Sequence, residues 1–147
     1  MSAVIFAQDD DEVSLDEPDE LFNYLEIFKS IRSGNIETIK DFIALHSDKI
    51  NLQSDTGNSL LATACRYSQR EIAKFLLESG ADPNMQNIGG LSPLHWACCK
   101  RDVLFVPLLT GYGCNPALKN ISGCTALEHS KLWQNYELYS QFPVLNL

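Results

Sequence analysis

Apolar residues recur along this chain at helical spacing, in short blocks separated by turn residues. Leu21, Phe22, Leu25, Phe28 and Ile31 fall three to four positions apart, which predicts a helix with one face on a core. Pro18 and Asp19 mark its start, with Asp19 as the expected N-cap, and Ser33-Gly34 marks its stop. Ile36, Ile39, Phe42 and Ile43 predict a second helix directly after it. Further on, Arg70 to Leu77 forms a helical block closed by Gly80 and Pro83. Glycine there takes the positive φ of a helix stop, and proline prevents the helix resuming. Ser92-Pro93-Leu94-His95 opens another helix, with proline in the first turn, where an N–H would have no acceptor. Pro107 falls in register with Lys74, inside the helix that follows. An interior proline costs about 3 kcal/mol, so the pattern predicts a shortened or bent helix around Val103 to Leu109. A last block, around Asn135 to Phe142, is short and polar, and Phe142-Pro143 ends it.

The blocks repeat. Gly57, Gly90 and Gly123 stand 33 residues apart. Ser59, Ser92 and Thr125 share that register, as do Leu61, Leu94 and Leu127. A fixed period of this length means stacked units, each burying its apolar face on its neighbours. The register divides the chain into units at about 18–53, 54–86, 87–119 and 120–142, between a leader at 1–17 and a tail at 143–147. The first and last units depart most from the common pattern, as terminal caps with one neighbour do.

Charge alters this picture at one end only. Of the 19 acids, eight lie within residues 1–20, which contain no Lys or Arg. The remaining eleven balance the eleven bases, so the net charge of −8 belongs to residues 1–20, the leader and the first residues after it. The run from Gln8 to Glu17 has too few apolar residues to offset the entropy of ordering and reads as a disordered leader. Val4-Ile5-Phe6 followed by acids resembles a SUMO-interacting motif, and Ser14-Leu15-Asp16-Glu17 an acidophilic kinase site. No cluster of Lys and Arg provides a phosphate-binding surface, which argues against nucleic acid as a partner. No apolar run nears the ~20 residues of a membrane helix, and the N-terminus lacks the basic start of a secretory signal. Five cysteines without framework spacing read as reduced thiols of a cytoplasmic or nuclear protein.

Catalytic and metal chemistry is weakly represented. No phosphate loop or supported carboxylate pair is present. His95, Cys98 and Cys99 invite a nucleophile reading, yet Cys98 occupies the small-residue slot that Cys65 fills one unit earlier, and a Cys–His enzyme also needs a positioned base and an oxyanion site. Cys98, Cys99, Cys114 and Cys124 lack the short paired spacings of structural zinc. The expectation is no enzyme, no metal and no cofactor, with a Cys/His enzyme as the remote alternative.

Ser92-Pro93-Leu94-His95-Trp96-Ala97, the ending Leu76-Leu77-Glu78-Ser79-Gly80-Ala81-Asp82-Pro83-Asn84 and the 33-residue period together resemble the ankyrin repeat. The resemblance covers residues 20–142 and is strongest in the two middle units. In the second unit Leu60 and Ala62 replace the signature Pro and His, and in the fourth Glu128 replaces the His. It implies an all-α solenoid of antiparallel helix pairs joined by β-turn fingers, a structural role for His95, and protein binding through a concave face. Asn84 occupies a position that can be hydroxylated in animal members. Contact positions implied for this chain are Asp55, Thr56 and Asn58, then Ile88, Gly89 and Leu91, then Ile121, Ser122 and Cys124 in the turns. In the first helices they are Arg66 and Tyr67, Cys99 and Lys100, and Leu132 and Trp133, with Trp96 just above. Ile88, Leu91, Ile121, Leu132 and Trp133 are large apolar residues at slots the fold exposes, the composition of an interaction patch; for Trp133 the alternative is packing under the C-terminal cap. The expected function is a monomeric adaptor or inhibitor of another protein, with the acidic leader as an auxiliary contact to a basic patch. The alternative is a recognition or targeting subunit of a larger complex of the ubiquitin-ligase or phosphatase type.

Overall fold

The computed structural model describes residues 18–100, 102 and 104–132, with side chains described for 24–100, 102 and 104–129. The acidic leader, Trp133, the second helix expected in the fourth unit and the apolar tail lie outside these residues. The described chain forms α1 (Pro18–Ser33), α2 (Ile36–Leu45), α3 (Leu60–Arg66), α4 (Arg70–Glu78), α5 (Pro93–Cys99), α6 (Phe105–Gly111) and α7 (Ala126–Leu132), with a 3-10 turn at Ser47–Lys49. Among the described residues the extended backbone amounts to an isolated bridge between Gln53 and Ser59. The expected all-α solenoid is what forms.

Local chemistry sets the helix ends. Ser59 accepts the Ala62 N–H at 3.0 Å to cap α3, and Asn35 accepts the Thr38 N–H to cap α2. Gly34 (φ +82°) and Gly80 (φ +97°) take the left-handed conformation that stops α1 and α4. α1 starts at Pro18 rather than after Asp19, so Asp19 falls inside the first turn and the expected N-cap is displaced; proline is preorganised for that first position.

Consecutive helices pair, and the pairs stack. α1, α3, α5 and α7 form an inner row in which each packs on the next, and α2 packs on α4 behind it. The core between the rows is continuous, with Phe28, Ile31, Ile39, Leu60, Leu61, Ile72, Leu76, Leu94, Phe105 and Leu109 almost wholly buried. Ala97 is fully buried where α5 meets its neighbours. Side-chain amides cross each boundary: Asn51 accepts the Asp82 N–H at 2.9 Å, Asn84 donates to the Gly113 carbonyl at 3.2 Å, and Gln86 donates to the Lys119 carbonyl at 2.9 Å. Each amide satisfies a backbone group of the next unit that would otherwise rely on water.

α6 bears out the expectation raised by Pro107. It has seven residues against nine in α4 and begins at Phe105. Pro107 is thereby its third residue, within the first turn, where its missing N–H breaks no helical bond. α6 also approaches α4 less closely than α2 does. Pro107→Lys is accordingly expected to change stability by less than ~0.5 kcal/mol, whereas Lys74→Pro, deeper in α4, costs about 3 kcal/mol. Urea denaturation of the two variants checks the contrast.

Candidate protein-binding face

The turns at the ends of the units form a ladder. Ile88 N–H donates to the Thr56 carbonyl and Ile121 N–H to the Gly89 carbonyl, both at 3.0 Å. Gly57, Gly90 and Gly123 hold φ of +86°, +76° and +78° at equivalent positions, which turns the chain back toward its helix. Asn87 accepts the Leu91 N–H at 2.8 Å and Asn120 the Cys124 N–H at 3.0 Å, closing successive turns in the same way. Their recurrence at 33 residues, with Ser54 in the equivalent slot, was the signal by which this closing role could have been read.

The ladder presents apolar side chains to solvent. Ile88 is 74% and Ile121 80% exposed, far above what an isoleucine with a packing role would show. Leu91 and Cys124 are half-buried beside them, and Asp55, Thr56 and Gly89 are half-buried at neighbouring turns. Ser122 is exposed and donates its N–H to the Asn120 side chain.

A second group is built on the ends of α3 and α5. The Arg66 guanidinium lies 5.2 Å from the Tyr67 ring centre and 5.1 Å from that of Trp96. Both distances suit cation–π attraction, about 0.5–1 kcal/mol each at an exposed site. The Trp96 indole N–H donates to Asn58 Oδ1 at 2.9 Å, and Asn87 donates to the same oxygen at 3.0 Å. Asn58 itself is 1% exposed. The turn position expected to face a partner therefore lies inward, anchoring Trp96 and the next unit's turn. Cys99 is half-buried and Lys100 exposed at the end of α5. The structure thus gathers Asn58, Arg66, Tyr67 and Trp96. Leu132 ends α7 without a described side chain, and Trp133 lies outside the described residues.

His95 is 1% exposed and bonded on both sides of its ring. Nδ1 accepts the Ser92 N–H at 3.2 Å, which leaves the ring proton on Nε2 to donate to the Cys124 carbonyl at 3.0 Å. The ring thus ties the start of α5 to the turn of the next unit. Burial pulls its pKa below the ordinary 6.5; the bond to Cys124 opposes this, and His129, 6.1 Å away between ring centres, adds to the lowering. This is the structural histidine expected from the Ser-Pro-Leu-His start.

Three of the thiols are poor nucleophiles. Burial pushes Cys98 up to about 12 and Cys114 to about 11, and holds Cys65 well above its ordinary value, with Asp102 and Cys114 adding to the effect at Cys65. Attack requires the thiolate, and all three are protonated at neutral pH. No group of three or more metal-ligating side chains occurs among the described residues. No helix among them is long and apolar enough to cross a membrane.

Known proteins with the same pattern are numerous. Residues 61–110 match the family model for ankyrin repeats in many copies. The chain is 31% identical over 106 residues to an ankyrin repeat-containing protein of Treponema pallidum, a match covering 72% of this chain and 36% of that protein. It is 25% identical over 111 residues to ankyrin repeat protein L371 of Acanthamoeba polyphaga mimivirus, covering 75% of this chain and 14% of that one. It is also 28% identical over 106 residues to the E3 ubiquitin-protein ligase Ufd4 of Drosophila melanogaster, covering 72% of this chain and 4% of the ligase. The chain spans about a third, or less, of the length of these relatives. With helix pairs stacked at a 33-residue period, tied by an intact Ser-Pro-Leu-His start and matched by these sequences, the chain belongs to the ankyrin-repeat family.

Proposed function

We propose that this protein binds another protein through its concave face and serves as an adaptor or inhibitor without chemistry of its own. Ankyrin repeats are protein-interaction modules, and the family is generally non-catalytic. The observations that carry the reading are the pair of exposed isoleucines on the turn ladder and an Arg66 guanidinium 5.2 and 5.1 Å from the Tyr67 and Trp96 ring centres. Ile88 and Ile121 lie on a hydrogen-bonded frame, so little backbone entropy is lost when a partner covers them. Arg66 and Trp96 are residue types that dominate interface energies, and the Asn58 bond fixes the indole before any partner arrives. Asp55, Thr56, Tyr67, Leu91, Cys99, Lys100, Cys124, Leu132 and Trp133 complete the proposed contact set. Asn58 contributes through Trp96 rather than by touch. The five cysteines carry no disulfide, which suits a monomer in the cytoplasm or nucleus.

The test is affinity capture with mass spectrometry, followed by titration of the captured partner with variants. Arg66→Ala, and Ile88→Ser combined with Ile121→Ser, are each expected to weaken binding at least tenfold with an unchanged circular dichroism spectrum. Full affinity in both variants would remove the concave face from the reading. A second reading is a recognition or targeting segment of a larger assembly. The similarity to a ubiquitin-protein ligase over 72% of this chain favours it, and co-purification of the captured protein in a stable multi-subunit complex would support it over a freely exchanging inhibitor.

A further inference from the structure

The outer surface of the third unit breaks the pattern of the first two. Glu37 and Glu71 occupy equivalent positions at the start of α2 and α4, and Lys40 and Lys74 follow three residues later. Glu37 and Lys40 pair at 3.8 Å, an ordinary solvated surface. In α6 the matching positions are Leu104 and Pro107. Leu104 is 52% exposed and Pro107 is exposed. Because α6 starts late and lies away from α4, the space between them is an open groove of about 530 Å³. Ile36, Ile72, Leu104 and Leu108 supply its apolar lining, and Arg70, Glu71 and Lys74 its charged rim. Among the described residues neither Arg70 nor Lys74 holds an ion pair. Apolar side chains at two slots that carry charge in sister units, opening onto a rim of two bases and one acid, favour an occupant that is apolar at one end and acidic at the other.

This chain contains such a segment. Val4-Ile5-Phe6 is the one apolar cluster of the leader, and Asp9-Asp10-Asp11-Glu12 follows it. The lengths agree. α1, with 16 residues, is ~24 Å long at ~1.5 Å per residue, and Gly34 at its far end lines the groove. The seven residues from Asp11 to Pro18 span ~24 Å when extended, at ~3.4 Å each. Fully extended, the leader thus brings Asp11 level with Gly34 at one end of the groove, and each residue before it adds ~3.4 Å of reach toward the rim and the lining.

We propose that residues 4–11 dock in the groove between α4 and α6, with Val4-Ile5-Phe6 on Leu104 and Leu108 and the three aspartates facing Arg70 and Lys74. The leader then covers the outer surface of its own protein and leaves the concave face open, independently of what that face binds.

Amide hydrogen exchange on the full chain, read by NMR, tests this. The amides of residues 5–11 are expected to exchange at least tenfold more slowly than in a synthetic peptide of residues 1–17. Leu104→Ser and, separately, Lys74→Glu return them to the peptide rate while the amides of α3 and α5 keep theirs. Lys74 is exposed, so its substitution perturbs no packing. Raising salt from low to high concentration also speeds their exchange, as screening of an exposed acid–base contact requires. Peptide-like rates in the unmodified chain overturn the proposal, as does protection that survives both groove variants. Protection that fades on dilution assigns the groove to a second copy instead. Loss of protection in Arg66→Ala assigns the leader to the concave face; retained protection with lost partner binding in that variant separates this proposal from the concave-face reading.

Discussion

Gly90→Ala is expected to destabilise the fold by about 3 kcal/mol, and Gly80→Ala by only about 1 kcal/mol. Both glycines have positive φ, and an alanine there is strained by ~1–2 kcal/mol whatever surrounds it. They differ in what a methyl group would meet. At Gly90 a Cβ comes to 2.7 Å from the Asn120 Cα and 2.9 Å from the Ile121 N, both backbone atoms of the next unit. The turn ladder cannot yield there without breaking the Ile121 bond to Gly89, and overpacking adds ~1–3 kcal/mol. At Gly80 nothing lies within 4 Å. Gly57 belongs between them, with the Ile88 N at 3.0 Å. The order of urea midpoints, Gly80→Ala highest and Gly90→Ala lowest, is the measurable statement. Equal midpoints would mean that the turns do not press on one another in solution.

Removing the His95 ring has a comparable effect with a pH signature. His95→Ala leaves the Ser92 N–H and the Cys124 carbonyl without their present partner at a buried boundary. Each loss costs ~1–3 kcal/mol, so a total of about 3 kcal/mol is expected at pH 7.5. In the native chain the folded state holds the ring neutral below the ordinary 6.5, whereas the unfolded chain takes up its proton near that value. Between the two values the unfolded state binds more protons, so stability falls as pH falls. The contribution is whole above about pH 6.5 and is lost as pH drops through the lower, folded-state value. His129 is also lowered by burial and adds in the same direction. Thermal melts of the native chain between pH 7.5 and 5.5 are expected to shift downward with acid, and those of His95→Ala to shift less. Parallel curves would show that the ring bond to Cys124 does not govern this pH range.

The positions readable from sequence were those whose cause is local. Gly34, Gly80 and Gly90 declare themselves because only glycine tolerates their φ. The late start of α6 was legible because proline lacks an N–H wherever it stands. His95 followed from its place in the Ser-Pro-Leu-His start. Asn58 lies inward for a long-range reason. Beside a turn glycine it looks like a free contact, and only Trp96, 38 residues later, draws it inward. The exposure of Leu104 was equally hidden, because a leucine at helical spacing reads as core. Its outward position shows only in the repeat register, which puts it at the exposed slot of Glu71. The concave face was legible as a register of positions, and its chemistry became definite only when Arg66, Tyr67 and Trp96 were brought to within contact of one another.

The weak approach of α6 to α4 has a mechanical consequence. Between the second and third units the stack is held along one edge, by α3 against α5 and by the turn ladder, while the opposite edge is open. Bending at this joint is therefore expected to take the form of a rotation about the held edge. A joint of this kind lets a solenoid adjust its radius to a partner locally, at the cost of the entropy of that motion. Stiffness along the outer row depends on how its helices meet, and the two residues missing from the start of α6 loosen one such meeting.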